Sequence, residues 1–407
     1  MSVALVFNPG SNSLKFELIE LDHTQKIASG HRMLASAVLD GIGQETKLLI
    51  YRGRDVMSRQ PCDASDMTAA ATQALRWLTT ETQSAPAMKS LSFAAVRVVH
   101  GGEKYAGAVE VSDEVRKDIK AFEELAPLHN KSSLQILDVL DEQLAGCRRM
   151  VAFDTAFHRT LPEVAWRYGI ERDTADRHGV RKFGFHGLSH RYMLEQYAAA
   201  VSKRPEDVSV VTLHLESGSS ACAIARGKSV DTTMGLTPLE GLMMGTRSGS
   251  IDPAIIPYLM EKEGKPVEDI MALLNKRSGM LGIAGGSLDT RVLVERNDPL
   301  AKLALDMFSY RVKLAVGAYL AALGDAEAVL FGGGIGEDSP WLRTAVCAGL
   351  GGWGLELNAV VNERSTAEQV CITTPNSRLQ AWAMPVEEGL QIGHECMLAL
   401  RAAGEAL

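Results

Sequence analysis

The sequence has no CxxC pair, and its six cysteines, at 62, 147, 222, 347, 371 and 396, are scattered through 407 residues. That spacing argues against a zinc site or a disulfide framework and points to reduced thiols in a cytoplasm. Basic residues are not in excess either. Lys and Arg number 42 against 50 Asp and Glu, a formal net charge of -8, so neither nucleic acid nor an anionic membrane is an expected partner. Any bound anion must then be held by a local cluster. No apolar run is long enough to cross a bilayer: the longest, Leu314 to Leu323, is about half the roughly 20 residues required. Val3 to Phe7 follows no basic stretch and is too short for a secretory signal.

What is present is the material of a large packed protein. With 46% hydrophobic and 23% charged residues, the chain exceeds one ordinary core and two domains are expected. The run Val3 to Phe7 stops at Asn8, passes through Pro9-Gly10-Ser11-Asn12-Ser13 and resumes as LKFELIEL, alternating as a half-buried strand does. Far downstream, VSVVTLHLESGSSACAIARG (208–227) repeats the plan, Gly218-Ser219 corresponding to Gly10-Ser11. A duplicated domain and a chance likeness of two turns are both open at this level. Helices are predicted over Ala69–Glu81, Ser133–Leu144, Pro253–Glu263 and Pro299–Leu323. Strands are predicted over Met150–Phe153, Ala328–Phe331 and Leu379–Met384, and a last helix from Glu387-Glu388 to about Ala402. The alternation favours α/β layers.

A Gly/Ser turn gathers backbone N–H groups and hydroxyls where no side chain crowds them, which suits phosphate oxygens; a plain surface hairpin is the alternative. The opening turn is not a P-loop, because Lys15 lies in an alternating strand instead of closing a GxxxxGK[ST] run into a helix. AAVRVVHGGEKY (94–105) puts Arg97 inside a β-branched run, either solvated on an edge strand or facing an anion from a strand end. In GFHGLSHRY, His186 and His190 stand four apart with Gly187 between and no HExxH glutamate. A histidine donating to a polarised oxygen, or a structural one, fits better than zinc. DTTMGLTPLEGLMMGTRSGSIDP (231–253) surrounds Arg247 with a long aperiodic stretch of the kind that carries function. FGGGIGEDS (331–339) half resembles a dinucleotide fingerprint but lacks the acidic residue about 20 positions on. Its glycines fit close approach to a nucleotide or tight helix–strand packing.

In order along the whole chain, NPGSNSLKF, RVVHGGE, PLHNKSS, FDTAFH, GFHGLSH, TPLEGLMMGTRSGSIDP, GGGIGE and PVEEGL resemble the acetate kinase family, part of the acetate and sugar kinase, heat-shock ATPase and actin superfamily. The resemblance implies an α/β fold of two duplicated actin-like (ribonuclease H-like) domains, each a mixed five-stranded sheet flanked by helices, with a cleft between. The first would span 1–152 plus 384–407 and the second, nucleotide-binding, 153–383. It further implies a cytoplasmic enzyme, usually a homodimer, that transfers a phosphoryl group reversibly from ATP to acetate, giving acetyl phosphate and ADP, with Mg2+ or Mn2+. Such a transfer asks the protein for positioning and charge neutralisation rather than covalent chemistry.

By motif, the resemblance makes Arg97, His129, Asp154, His186 and Arg247 the catalytic set, the arginines holding the carboxylate and the phosphoryl group in planar forks. Asn8 and Glu388, together with Asp154, would organise the metal and phosphate, directly or through water; Glu387 is adjacent, but the spacing to Leu390 and Ile392 favours Glu388. Val99, Leu128, Phe185 and Pro238 would receive the methyl group, although each is equally a core residue by type. Valine there favours acetate over propionate by the roughly 1 to 3 kcal/mol one methylene supplies. Ser11, Ser13 and Lys15 would face the transferred phosphate. His214, Ser217, Gly218, Asp289, Thr290, Arg291, Gly334, Ile335, Gly336 and Asp338 would hold the nucleotide and its phosphates.

The departures from the family pattern fall mainly on the nucleotide side. HLGNG reads HLESG, bringing Glu216 beside the phosphates and Ser217 in place of asparagine; GDIDP reads GSIDP, GEN reads GED, and an alanine of the opening turn is Pro9. Three readings therefore stand: an ATP-dependent acetate kinase; an acyl phosphate kinase that uses pyrophosphate or phosphate, or prefers propionate; and a weakly active sensor of acetyl phosphate or nucleotide. The intact Arg97, Asp154, His186, Arg247 and Glu388 favour an enzyme.

Overall fold

Val3 to Phe7 are apolar without alternation because the strand they form is covered on both faces. In the computed structural model, which describes residues 1–23, 27, 31–80, 85–286, 289–364 and 368–404, this strand is β1 (Ser2–Pro9). It pairs antiparallel with β2 (Ser13–Leu21), Asn8 opposite Lys15, and β2 pairs antiparallel with β3 (Arg32–Asp40). On its other side β1 runs parallel to β6 (Leu91–Val98), which runs parallel to β8 (Arg148–Phe153). The helices Met67–Thr80 and Pro127–Gln143 bury Ala70, Ala74, Leu78, Ile136 and Leu140 in one cluster with Leu5, Phe7 and Phe16. The helix Glu388–Ala402 packs on β1 and β2, so closely that a Cβ on Gly393 would touch Leu21 and Val6.

A second sheet repeats the order. β9 (Val210–Leu215) pairs antiparallel with β10 (Ser219–Ala225), β10 with β11 (Lys228–Thr232), and β9 runs parallel to β12 (Ala328–Gly332), which runs parallel to β14 (Gln380–Ala383). Both sheets thus contain one five-stranded core, β3-β2-β1-β6-β8 and β11-β10-β9-β12-β14, and the duplication is structural rather than a likeness of two turns. The sheets are larger than five strands, however. Among the described residues the first has eight, through the hairpin β4 (Lys47–Arg52) and β5 (Asp55–Pro61) and the short β7 (Val109–Glu110); the second has six, through β13 (Val370–Cys371). All the additions lie at sheet edges, which leaves the shared cores intact.

The second core joins Val211, Leu213, Val329 and Phe331 to Phe308, Val312 and Val316 of the helix Pro299–Leu323. That helix has the predicted bounds because its ends are written locally: Asp298 accepts from the amides of Leu300 and Ala301, Pro299 opens it, and Gly324 at φ +73° closes it. The predicted Ala69–Glu81 is observed over Met67–Thr80, Glu81 lying outside the described residues; Ser133–Leu144 starts earlier, at Pro127, and Pro253–Glu263 starts at Ile255. The chain divides into two compact units, Met1–Arg159 with Gly187–Gln196 and Glu387–Leu407, and Thr160–His186 with Tyr197–Val386. No helix among the described residues is long and apolar enough to cross a membrane.

Gly333, directly after β12, has φ +73°, and a Cβ there would lie 2.7 Å from the Leu215 carbonyl oxygen and 2.8 Å from its nitrogen. Backbone atoms of a central strand cannot step aside. Gly333→Ala is expected to destabilise the second unit by about 2 kcal/mol or more, measured as a lower urea midpoint; an unchanged midpoint would show that the end of β9 yields.

Candidate active site

Open sheets bind ligands beyond the carboxyl ends of parallel strands. In the first unit β1, β6 and β8 are such neighbours, and their ends carry Asn8, Arg97 and Asp154. Arg97 donates through Nη1 to Asn8 Oδ1 at 3.0 Å and through Nη2 to Asp154 Oδ2 at 2.5 Å. Asn8 Nδ2 donates to Glu388 Oε2 at 2.7 Å, and the same oxygen lies 4.0 Å from Arg97 Nη1. Ser189 donates its hydroxyl to the other Glu388 oxygen. The Asp154 side chain is 1% exposed and that of Arg97 13%, so neither charge would be tolerated without the other.

The surroundings hold this set in place. Gly187 N donates to the Asp154 carbonyl at 2.9 Å, and a Cβ on Gly187 would fall 2.2 Å from that oxygen. Hence the glycine in GFHGLSH. Ser133 donates to the Arg97 carbonyl at 2.8 Å and to that of His129 at 3.3 Å, tying the first turn of the helix Pro127–Gln143, and half-buried His129 with it, to the end of β6. Asn130 brackets His100, accepting from its N at 3.1 Å and donating to its O at 3.0 Å. Asn130, Ser133 and Ser189 were not singled out from sequence, although they lie inside two of the quoted motifs. Lys15 sits 3.0 Å from Glu17; burial opposes its charge, but Glu17, with Glu388 and Glu387, outweighs burial and raises its pKa. The turn between β1 and β2 is closed by Gly10 N donating to Ser13 O at 2.8 Å, with Ser11 exposed. Val99 is buried, and the side chain of Leu128 lies outside the described part of the chain.

In the second unit His186, Gly218 and Arg247 come together. His186 has φ +57°, its Nδ1 lies 2.9 Å from Ser220 Oγ, and its ring stands 4.3 Å from that of His214. A Cβ on Gly218 would lie 3.5 Å from His186 Nε2 and 3.5 Å from Arg247 Nη1, so the bare glycine keeps the space between them open. Arg247 is carried by the aperiodic segment between Thr232 and Ile255, which is anchored by buried Leu242, Met243 and Met244 and by Met244 N donating to Arg247 O at 3.0 Å. Arg247 Nη1 donates to Pro238 O at 3.0 Å and lies 3.8 Å from Met244 Sδ. No carboxylate pairs with it among the described residues, and burial lowers its pKa, though a guanidinium keeps its proton. A half-buried guanidinium with no carboxylate beside it among the described residues has charge to offer an anion. Phe185 is buried and Pro238 half-buried in the same unit.

A cavity of about 280 Å³ in this unit brings together Ser217, Asp289, Thr290, Arg291, Gly334, Ile335 and Asp338, with Glu216 and Ser339. Gly336 is instead buried against β12, where a Cβ would lie 3.2 Å from the Phe331 carbonyl carbon; packing accounts for it. His214 and Gly218 lie with His186.

Residues 3–394 match the model of the acetokinase family. The chain belongs to the acetokinase family. The acetate kinase of Chloroherpeton thalassium is 40% identical over 406 residues, covering 96% of this chain and 97% of the relative. Among acetokinase-like solved structures, the acetate kinase of Porphyromonas gingivalis superposes with a TM-score of 0.88 at 33% identity, over 98% of this chain and all of the other. A propionate kinase of Francisella tularensis gives 0.87 at 32%, over 97% and 99%. The duplicated α/β cores are those of this family.

Gly187→Ala is expected to push Asp154 off Arg97 and to cut turnover about a hundredfold, with the far-ultraviolet circular dichroism retained. Near-normal turnover would show that the Asp154 position tolerates the displacement.

Proposed function

We propose that the protein is an acetate kinase, transferring a phosphoryl group reversibly from ATP to acetate to give acetyl phosphate and ADP. The observation that carries this reading is Arg247, a half-buried guanidinium beside His186 and bare Gly218 with no carboxylate partner among the described residues. Its planar fork suits a phosphoryl group and gains most when charge develops on the equatorial oxygens. An acetate oxygen would attack the γ-phosphorus while the bond to ADP breaks and ADP leaves with the electron pair. His186, oriented by Ser220, would donate to an equatorial oxygen, and Arg97, held by Asn8 and Asp154, would supply the second fork, with His129 in support.

Asn8, Asp154 and Glu388 suit magnesium by donor chemistry: two carboxylates and an amide on one hydrogen-bonded chain, for an ion that takes few protein oxygens and keeps several waters. When bound, the ion would neutralise phosphate oxygens of the donor, and manganese would accept the same ligands. Val99, Phe185 and Pro238 are proposed to face the methyl group. Propionate is the second reading, favoured by the propionate kinase among the structural neighbours. Six cysteines free of disulfides fit a cytoplasmic enzyme. A homodimer is supported by Leu300, Leu303, Tyr310 and Leu314, exposed along one stripe of the helix Pro299–Leu323.

Incubation with acetate, Mg2+ and ATP should yield acyl phosphate that hydroxylamine traps, and chelation of the metal should abolish it. Product from pyrophosphate alone would overturn ATP as donor, and no product with any donor would leave the sensor. Arg247→Ala is expected to lower kcat about a thousandfold in a folded protein; retained activity would remove Arg247 from the transition state. Tyr310→Asp should halve the particle mass in light scattering if that stripe seats a second copy, and an unchanged mass would place the contact elsewhere.

A further inference from the structure

We infer that Glu216 is a specificity-determining residue of the donor site, whose carboxylate lies across the glycine turn and disfavours the anionic tail of a donor relative to its uncharged part. The inference rests on the reading of ATP as the donor.

The geometry begins with strand register. β9 and β12 run parallel with Gly332 opposite His214, so the turns that follow them emerge side by side. Gly333 is pressed against the Leu215 backbone, and a Cβ on it would lie 2.9 Å from Glu216 Cγ; the Glu216 side chain is therefore laid directly over the glycine turn. Its Oε1 accepts from Gly334 N at 3.2 Å. A donor oxygen that sought this amide would meet a carboxylate already on it.

The backbone cannot carry Glu216 away. Glu216 N donates to Gly218 O at 3.2 Å, Ser219 Oγ donates to Glu216 O at 2.9 Å, and Gly245 N donates to Ser217 O at 3.0 Å, so the turn is fixed at three points. Only side-chain rotation can clear the amide. The adjoining cavity does not offset the charge: among the described residues it is lined by the carboxylates of Glu216, Asp289 and Asp338, and its guanidinium, Arg291, is already engaged by Asp289 at 3.1 Å through Nε and 2.9 Å through Nη2. Like charges brought together lower affinity, an effect that exposure and salt reduce. Glu216 is exposed, so the effect is moderate.

The test is calorimetric binding to the full-length protein in low salt, with MgATP, ADP and adenosine as probes. Glu216→Gln removes the charge and keeps an oxygen that can accept from Gly334 N; Glu216→Ala removes both. Both variants are expected to bind MgATP and ADP roughly tenfold more tightly than the unmodified protein, adenosine equally, with the gain shrinking as KCl is added. Equal MgATP affinity in all three proteins overturns the role of Glu216 while leaving ATP as the donor. Weaker MgATP binding by both variants also overturns it, because the carboxylate would then be assisting the donor. MgATP bound by none of the three overturns the inference together with ATP as donor, and product from pyrophosphate in the hydroxylamine assay identifies that case.

Discussion

In each unit the candidate residues depend on parallel backbone pairing at the centre of that unit's own sheet. β6, hydrogen-bonded between β1 and β8, sets Arg97 beside Asn8 and Asp154. A slip of one residue would turn Arg97 to the opposite face and leave a buried carboxylate without its cation. Register is held because both faces of these strands are packed, Leu5 and Phe7 on one side and the Gly393 face of the last helix on the other. The β9–β12 pair plays the same part in the second unit, setting two turns next to one another at the strand ends.

The two arginines differ in how their charge is met. Arg97 has its two terminal nitrogens met by an amide and a carboxylate, which fixes its direction. Among the described residues, the Arg247 guanidinium meets a carbonyl and a thioether. The desolvation it has already undergone is recovered when an anion arrives, most of all an anion whose charge spreads over several oxygens. The proposed phosphoryl transfer would draw on both properties, fixed positioning from the one and charge neutralisation from the other.

Much of this was legible in the sequence where the information is local. Asp298, Pro299 and Gly324 delimit a helix by capping chemistry alone, and the paired strand–turn–strand units raised a duplication that the shared strand order then established. The edge strand β5 was not legible, because nearly all its residues are exposed and no hydrophobic period marks it. Nor were Ser133, Ser189 and Ser220. A hydroxyl that orients another residue leaves no pattern, since its partner lies 36, 199 or 34 positions away. Gly187 could be seen as a glycine but not as the neighbour of a carbonyl from β8's end, a fact of tertiary packing. Gly336 shows the converse: its motif suggested a ligand and its position explains it by packing.

Two copies of one strand order also bear on how such a protein can change. The turn after β1 and the turn after β9 are the same structural device built from separate stretches of chain, each backed by its own core. A substitution such as Glu216 alters one copy without passing strain into the packing that supports the other. Duplication therefore makes this architecture modular: a side chain in the turn after β9 can change while the separate core behind β1, β6 and β8, with Arg97 and Asp154 at its strand ends, is left as it is.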